Sequence, residues 1–347
     1  MKKAKKELRV FEAFAGYGGA HFALKKVRTT FRVVGFSEID EQAIKIYEKN
    51  FPGIKNYGDI TRIDPKKLPR FDLFTGGFPC QPFSSAGRGL GEVDTRGTLF
   101  HDILRICAIR KPKYILLENV KGFLFRKHEK TRLKIRYSLE TLGYHVYPDL
   151  LLNTKDFGIP QNRERVWIVA IRKDLPRNES IVTKKIENCP PLREFLDPSV
   201  PEKYYLTQKQ IQHLEWKHGV KCVTTEPLCL DIYNKKIRYD KVSITITEPH
   251  HNSLRIIEPP ISGKKVVRKI TPLEAFRLMG FRDGEINFAD LADTHLYKLA
   301  ANGWDINIAS RIFKKIFTVR SPGEKTNKIE EFFFKIRSDL EKGKFSK

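Results

Sequence analysis

The stretch Gly76-Gly77-Phe78-Pro79-Cys80-Gln81-Pro82-Phe83-Ser84 places one cysteine shortly after an apolar run at residues 71–74. The run is typical of a buried strand. The paired glycines predict a sharp turn of the backbone, and the two prolines restrict the approach to Cys80 and the exit from it. A thiol held at the end of a strand is a candidate nucleophile at the edge of an α/β sheet. For a lone cysteine, an inert buried thiol in a tight turn is the simpler interpretation.

The composition favours a globular protein with a polyanionic partner. The chain has 347 residues, 40% of them hydrophobic, which suffices for one large domain or two modest ones. It carries 65 Lys and Arg against 41 Asp and Glu, a formal charge of +24 that favours nucleic acid over an acidic membrane surface.

No membrane segment, secretion signal or metal site is predicted. No apolar run approaches the ~18 residues of a membrane span, and the basic start lacks the apolar core of a signal peptide. The five cysteines show no paired spacing, which favours a reducing compartment. The group His213, His218, Cys222 and Cys229 fits no common zinc spacing.

The first part of the chain has the pattern of a nucleotide-binding unit. A strand over residues 8–14 runs into Ala15-Gly16-Tyr17-Gly18-Gly19, and a helical pattern follows. A structural turn or a dinucleotide-binding dehydrogenase would show the same pattern. A second strand, residues 31–37, ends at Glu38, whose carboxylate suits the two hydroxyls of a ribose. Asp59 could accept from an adenine amino group or simply be a turn residue.

Further polar groups follow the later strands. A buried strand at residues 113–117 leads to Glu118-Asn119-Val120, and active groups of open α/β sheets lie at that edge. Strands at 145–152 and 166–171 predict a hairpin. Between them, Arg163 and Arg165 alternate on one strand face, where a solvated salt bridge is the alternative interpretation. The polar residues 84–96 predict a mobile loop before a helix that starts near Leu99.

The pattern becomes irregular from residue 174 to 267, which predicts a separate small domain. Within it we expect a helix at 207–218 and a strand at 242–247. Regular pattern returns with Thr271 as an N-cap and Pro272 in the first turn of a helix that ends at Gly280. A final helix is expected at 308–317, and the tail from residue 325 resembles an amphipathic packing helix.

Jointly, these motifs resemble those of the DNA cytosine-5 methyltransferases of the bacterial or viral restriction-modification type, in the family's order and over nearly the whole chain. The resemblance implies a Rossmann-like, S-adenosylmethionine-dependent methyltransferase sheet of the α/β class with a second, smaller, irregular target-recognition domain. The catalytic and cofactor-binding domain would cover 1–173 and target recognition 174–267. Residues 268–347 would return to the catalytic domain.

The resemblance also implies the reaction and its residues. A methyl group would pass from S-adenosylmethionine to carbon 5 of a flipped-out cytosine in a specific duplex DNA sequence, through a covalent cysteine adduct. The implied catalytic residues are Cys80, Glu118, Arg163 and Arg165. The implied cofactor-binding residues are Phe14, Gly16, Gly18, Gly19, Glu38, Ile39, Asp59, Ile60, Pro79, Leu99 and Asn302. The implied DNA-binding residues are Ser84, Ser85, Arg88 and Thr245.

The implied partner is double-stranded DNA, bound by a metal-free monomer in the cytoplasm, nucleoid-associated in a prokaryotic or virus-infected cell. Two positions depart from the family pattern. Ile39 stands where many members carry an aromatic residue over the adenine, and Ala301-Asn302-Gly303-Trp304 replaces the usual Gly-Asn-Ser-Val.

Two alternatives stay open. A tRNA cytosine-5 methyltransferase of the same fold shares the catalytic motifs, although its Cys-Phe-Thr element is absent from this sequence. A non-catalytic DNA-binding relative would be expected to lose the cysteine or the acid, and both are present.

Overall fold

The structure is a computed structural model that describes residues 7–78, 99–251 and 253–318. The predicted loop at 84–96 and the predicted helix from residue 325 lie outside these ranges. Thirteen strands occur in the described part of the chain: β1 (Leu8–Ala13), β2 (Phe31–Ser37), β3 (Leu73–Gly77), β4 (Tyr114–Val120), β5 (Tyr144–Val146), β6 (Leu150–Asn153), β7 (Gln161–Asn162), β8 (Glu164–Arg172), β9 (Leu228–Asp231), β10 (Lys236–Arg238), β11 (Ser243–Ile244), β12 (Leu254–Ile261) and β13 (Lys264–Arg268).

The same ranges contain eight α-helices: α1 (Gly19–Lys25), α2 (Glu41–Asn50), α3 (Leu99–Arg110), α4 (Glu129–Thr141), α5 (Gln208–His218), α6 (Pro272–Arg277), α7 (Asp293–Asn302) and α8 (Ile306–Phe317).

The central sheet has the order β2-β1-β3-β4-β8-β5, and β6 also pairs with β8. The first four strands are parallel, and β8 runs antiparallel to β4, β5 and β6. Successive residues of β1 face opposite sides, so Val10 packs with α1, α2 and α8 while Phe11 packs with α3 and α4. Helices therefore cover both faces of the sheet, and the predicted α/β class is confirmed.

The two glycines before the cysteine do not form the predicted turn. Gly76 and Gly77 lie inside β3, paired with β4 as extended backbone. Their small size is needed for close approach, because a Cβ on Gly77 would lie 2.9 Å from Nε1 of Trp304 and one on Gly76 would lie 3.2 Å from the carbonyl oxygen of Ala13.

The strand pattern between residues 145 and 172 is more broken than the sequence predicts. The single strand expected at 145–152 is two short strands, β5 and β6, and each pairs with β8 as the predicted hairpin requires. At 242–247 only Ser243 and Ile244 form a strand. The rest of that segment is fixed by side-chain contacts described below, which a period-2 pattern does not reveal.

The predicted N-cap at Thr271 and the predicted helix at 207–218 are both confirmed. Thr207 and Thr271 both form capping boxes, and Pro272 occupies the first turn of α6. α7 was not predicted. Its N-cap is Ala292, which offers no side-chain hydrogen bond, so the usual start signal is missing.

A second, antiparallel sheet has the order β10-β9-β12-β13. One of its faces packs under α5, where Ile211 and Leu214 meet Leu230 and Ile257. Residues on its other face, among them Cys229, Leu254 and Ile256, join the main core. A separate pair, β7 with β11, connects residues 161–162 to residues 243–244 in parallel. The domain limits at residues 173 and 267 stay a prediction.

Candidate active site

Glu118 lies on β4, in the middle of the central sheet. It pairs with Gly77 of β3 on one side and with Trp167 of β8 on the other. The side chain is buried, and its Oε1 is 2.9 Å from Nε of Arg165. The amide of Asn119 donates to the carbonyl oxygen of Phe78 at 3.1 Å. The end of β4 is therefore tied to the end of β3, directly before Pro79 and Cys80.

Burial sets the protonation behaviour of this carboxyl. Desolvation raises the pKa of Glu118 above its usual range, while the positive charges of Arg165 and Arg163 offset part of the rise. A carboxyl with a raised pKa retains its proton at higher pH. The group is suited to donate a proton to a substrate and to recover one afterwards.

The two arginines have different neighbours. Arg165 contacts Glu118, whereas Arg163 is buried and donates through Nη2 to the carbonyl oxygens of Ala301, at 2.9 Å, and Gly303, at 2.8 Å. Burial, and then the charge of Arg165, lowers the pKa of Arg163 to about 9. Nε and Nη1 of Arg163 have no hydrogen-bond partner among the described residues.

Gln161 was not among the predicted site residues, although it alternates with Arg163 and Arg165 along the chain. It is fully buried, accepts from the backbone N–H of Ile246 at 3.1 Å and donates to the carbonyl oxygen of Leu278 at 2.7 Å. The same alternation that indicated the arginines could have indicated this residue.

The loop between β1 and α1 contains residues with positive φ and turns sharply. Phe14 has a positive φ of 51°, which non-glycine residues rarely adopt, and Gly18 caps α1 in the left-handed region. A Cβ on Gly16 would meet no heavy atom within 4 Å, so the space beside this turn is open.

The acid after β2 is fixed by the same turn. Glu38 accepts from the backbone N–H of Gly16 at 2.8 Å, of Ile39 at 2.8 Å and of Asp40 at 3.0 Å. Ile39 beside it is 70% exposed, an apolar side chain without cover. An exposed apolar surface next to a carboxylate and an open glycine turn fits the base and ribose of an adenosine group.

Asn56 connects this acid to Asp59. Its side chain accepts from the backbone N–H of Glu38 at 3.2 Å and of Gly58 at 2.9 Å. Asp59 accepts from the backbone and the hydroxyl of Thr61, and these hydrogen bonds lower its pKa. Ile60 is buried beneath it. Asn56 was not among the predicted site residues.

The turn after α7 packs on the loop between β1 and α1, which we call the glycine loop. Tyr17 donates its hydroxyl hydrogen to the carbonyl oxygen of Trp304. A Cβ on Gly303 would lie 1.9 Å from Cε1 of Tyr17, and one on Gly19 would lie 2.9 Å from Cβ of Trp304. The Trp304 ring meets the Trp167 ring edge to face, with centroids 5.0 Å apart. Residues 301–304 therefore lie between the glycine loop and the strands that carry Glu118 and Gly77.

A model of the family described as C-5 cytosine-specific DNA methylase matches residues 8–318. The chain belongs to the C-5 cytosine-specific DNA methylases. Relatives include the type II methyltransferase M.SsoII of Shigella sonnei, 36% identical over 89% of this chain and 80% of its own length. Another is the type II methyltransferase M2.ScrFI of Lactococcus lactis subsp. cremoris, 32% identical over 89% of this chain and 99% of its own length. The methylase is accordingly a DNA cytosine-5 methyltransferase, and its family implies S-adenosylmethionine as methyl donor.

Two solved structures show the same fold as this methylase. A DNMT2 mutant of Spodoptera frugiperda superposes with a TM-score of 0.71 at 21% identity, over 90% of this chain and 100% of that one. A putative DNA modification methyltransferase from an E. coli prophage gives 0.66 at 20% identity, over 90% and 99%. At these identities the likeness shows the fold alone.

The remaining predicted site residues of the methylase occupy three places. Leu99 starts α3 and packs on the core of that face. Thr245 donates through its hydroxyl to the carbonyl oxygen of Asn162 at 2.6 Å, and Asn302 donates through its amide to Oε1 of Glu248 at 2.7 Å. Five other predicted residues lie outside the described ranges: Pro79, Cys80, Ser84, Ser85 and Arg88.

The part of the chain that the structure describes contains neither a candidate metal centre nor a membrane-spanning helix. No group of three His, Cys, Asp or Glu side chains could hold a metal ion within residues 7–78, 99–251 and 253–318. None of the helices in these ranges is long and apolar enough to cross a membrane.

Proposed function

We propose that the methylase transfers a methyl group to carbon 5 of a flipped-out cytosine in a specific duplex DNA sequence, through a covalent adduct with Cys80. The observation that carries this proposal is the buried pair of Glu118 on β4 and Arg165 on β8. Asn119, next to Glu118, joins β4 to the end of β3 just before Cys80. A nucleophile and a proton donor at the ends of adjacent strands can reach two atoms of one small ring.

The chemistry follows from the weakness of carbon 5 as a nucleophile. The thiolate of Cys80 bonds to carbon 6 while Glu118 gives a proton to ring nitrogen 3, and the ring becomes an enamine that is nucleophilic at carbon 5. Arg165 keeps Glu118 in position and balances negative charge in the buried site. After methylation, a base from the solvent removes the carbon 5 proton, and the electron pair left behind forms the ring double bond and expels the thiolate of Cys80. Ring nitrogen 3 returns its proton to Glu118, which restores the aromatic ring.

S-adenosylmethionine supplies the methyl group as an electrophilic sulfonium methyl. The residues that would hold it are Phe14, Gly16, Gly18, Gly19, Glu38, Ile39, Asp59, Ile60, Pro79, Leu99 and Asn302. Of these, Glu38 suits the ribose hydroxyls, Ile39 the adenine face and Asp59 the adenine amino group. The unpaired Nε and Nη1 of the buried Arg163 offer further donors near this site. No metal is part of the proposal.

Residues 174–267 are proposed to select the cytosine. Base reading requires variable side chains at a groove, and this region carries the second sheet and irregular segments instead of the catalytic strands. Thr245, fixed against Asn162, is our candidate for a phosphate contact, together with Ser84, Ser85 and Arg88. Grafting residues 174–267 into a relative of known specificity should transfer the target sequence. An active chimera that keeps the host's specificity would contradict this assignment.

The type II relatives support a role in restriction-modification. We propose that the enzyme acts as a monomer in the cytoplasm, on double-stranded DNA. The charge of +24 favours such a substrate.

Covalent trapping tests the reaction directly. A duplex that carries 5-fluorocytosine in the target site should form a stable adduct with the full chain in the presence of S-adenosylmethionine, because fluorine cannot leave as a proton does. Bisulfite sequencing of genomic DNA treated with the enzyme identifies the target beforehand. Cys80→Ser should bind the same duplex and form no adduct.

The same assay separates the alternatives. Adduct formation with tRNA and not with DNA would move the assignment to a tRNA methyltransferase. Binding of DNA without an adduct or methyl transfer would mean a non-catalytic relative.

A further inference from the structure

One face of α7 contacts the proposed cofactor site through Lys298 and the segment after β11 through Asn302. Lys298 and Asn302 are four residues apart and so lie on the same side of the helix. Nζ of Lys298 is 2.6 Å from Oδ2 of Asp40, the residue that directly follows Glu38 and Ile39. Nδ2 of Asn302 donates to Oε1 of Glu248 at 2.7 Å. Glu248 belongs to the segment that follows β11, in the region proposed to recognise the target.

The segment that carries Glu248 is held to residues 160–162, which lie just before β8. The backbone N–H of Ser243 donates to the carbonyl oxygen of Pro160 at 2.8 Å. Thr245 and Ile246 are bonded to Asn162 and Gln161 as described above. Counting Glu248 itself, four residues of the stretch 243–248 are thus attached to residues 160–162 or to α7. The segment that carries the carboxylate of Glu248 is therefore held in place.

The chemistry of the pair determines how the amide of Asn302 is turned. A carboxylate only accepts hydrogen bonds, so the amino group of Asn302 must face Glu248. The amide oxygen of Asn302 then faces away from Glu248, as an acceptor that is free to meet a ligand. Asn302 directly precedes Gly303 and Trp304, which pack on Tyr17 and Gly19 of the glycine loop. Residue 302 therefore lies at the end of the proposed cofactor site, where residues 301–304 meet that loop.

The amino-acid end of S-adenosylmethionine carries one positive donor, its α-ammonium group, and one negative acceptor, its carboxylate. An acceptor oxygen at Asn302 matches the ammonium and not the carboxylate. Three carboxylates lie near this face of α7: the hydrogen bond to Asp40 is the largest cause that raises the pKa of Lys298, and the negative charges of Glu248 and Glu38 add to it.

We propose that Glu248 is a positioning residue for the cofactor, which fixes the amide of Asn302 with its oxygen toward the α-ammonium group of S-adenosylmethionine. The inference rests on the proposed function, because it places the amino-acid end of the cofactor beside Asn302. It makes the segment after β11 a part of the cofactor site as well as of the region proposed to read DNA.

Three ligands isolate the ammonium contact by titration calorimetry with the full chain. S-adenosylhomocysteine has the complete amino-acid end, its deaminated analogue lacks only the ammonium group, and 5′-methylthioadenosine lacks the entire amino-acid part. Glu248→Ala should weaken S-adenosylhomocysteine about tenfold or more, the scale of a charge-assisted hydrogen bond. It should leave the affinity for the other two ligands unchanged. Glu248→Gln, whose amide oxygen can still accept from Asn302, should restore most of the affinity.

Two further variants complete the test. Glu202→Ala removes an exposed carboxylate from the same region of the chain and should change none of the three affinities. In an Asn302→Ala background, Glu248→Ala should have no additional effect on S-adenosylhomocysteine, because the two residues act as one unit.

The outcomes distinguish this inference from the proposed function. Equal weakening of all three ligands by Glu248→Ala, or no weakening of S-adenosylhomocysteine, would overturn the role of Glu248 while leaving the function intact. Failure of the unsubstituted enzyme to bind S-adenosylhomocysteine at all would instead contradict the proposed function.

Discussion

Glu118 and Arg165 form a buried ion pair in which only one member exchanges a proton. Glu118→Gln keeps the shape of the side chain and a hydrogen bond to Arg165 but cannot give a proton to the base. We expect the rate of methyl transfer to fall about 100-fold or more, the usual scale for general acid–base groups. The affinity for S-adenosylhomocysteine should hardly change. A large loss of that affinity with unchanged turnover would mean that Glu118 has another role.

The raised pKa of Glu118 also predicts the direction of a pH effect. The protonated carboxyl is the active form, so the rate of methyl transfer should decrease as the pH rises through this pKa. Single-turnover rates measured from pH 6 to 9 would report the decrease, with the cofactor and DNA saturating at each pH. The residual activity of Glu118→Gln should lack this component of the profile.

Glu12 on β1 is a buried carboxyl that the proposed chemistry does not use. Burial raises the pKa of Glu12 to about 8, and the hydroxyl of Tyr47 beside it offsets part of the rise. Because the pKa of Glu12 is higher in the folded chain than in the unfolded chain, its contribution to the free energy of unfolding is fully present at a pH below the unfolded-state pKa. This contribution is lost as the pH rises to about 8.

Replacing Glu12 by Gln should remove this pH dependence. Between pH 5 and pH 8 the stability of Glu12→Gln relative to the unsubstituted chain should increase, by on the order of 4 kcal/mol at most. Urea unfolding at several pH values measures it. An equal difference between the two proteins at every pH would contradict the prediction.

Among the elements, the turn after α7 requires a glycine at position 303. A Cβ on Gly303 would lie 1.9 Å from Cε1 of Tyr17, which is itself buried and bonded to Trp304. Gly303→Ala should therefore displace the turn and weaken S-adenosylhomocysteine binding at least tenfold, with a lower melting temperature. Gly122→Ala is the matched control, because its Cβ would meet nothing closer than 3.8 Å. Equal effects of the two substitutions would argue against a tight turn.

The elements that the sequence predicts well are those whose signals are local. Thr207 and Thr271 cap their helices with bonds to residues three positions on, and a strand-turn-helix unit at residues 8–25 needs only its own glycines. The turn predicted at Gly76 and Gly77 was wrong because the reason for their small size lies in residues remote in sequence: Ala13 for Gly76, and Trp304, more than 200 residues away, for Gly77. The pairing of Asn302 with Glu248 is equally remote and has no local pattern.

For the whole molecule, the charge of +24 predicts how DNA binding responds to salt. Each phosphate neutralised by a lysine or arginine releases counterions, so log K should fall linearly with log salt with a slope of about −0.9 per phosphate contact. Filter-binding or anisotropy titrations between about 50 and 200 mM salt should give an affinity loss of about 10³-fold or more if six or more phosphates are contacted. A flat dependence would count against a duplex substrate.

The attachment of the segment at residues 243–246 has a consequence for evolution and for engineering. Gln161 and Asn162 hold this segment through the N–H of Ile246, the hydroxyl of Thr245 and strand pairing, so almost every bond is made to main chain. A hydrogen bond to the main chain does not depend on which side chain the residue carries. Neighbouring side chains can therefore vary without weakening the contact between residues 243–246 and residues 161–162. A transplanted recognition region should bind in the same place if it presents one extended strand to Gln161 and Asn162.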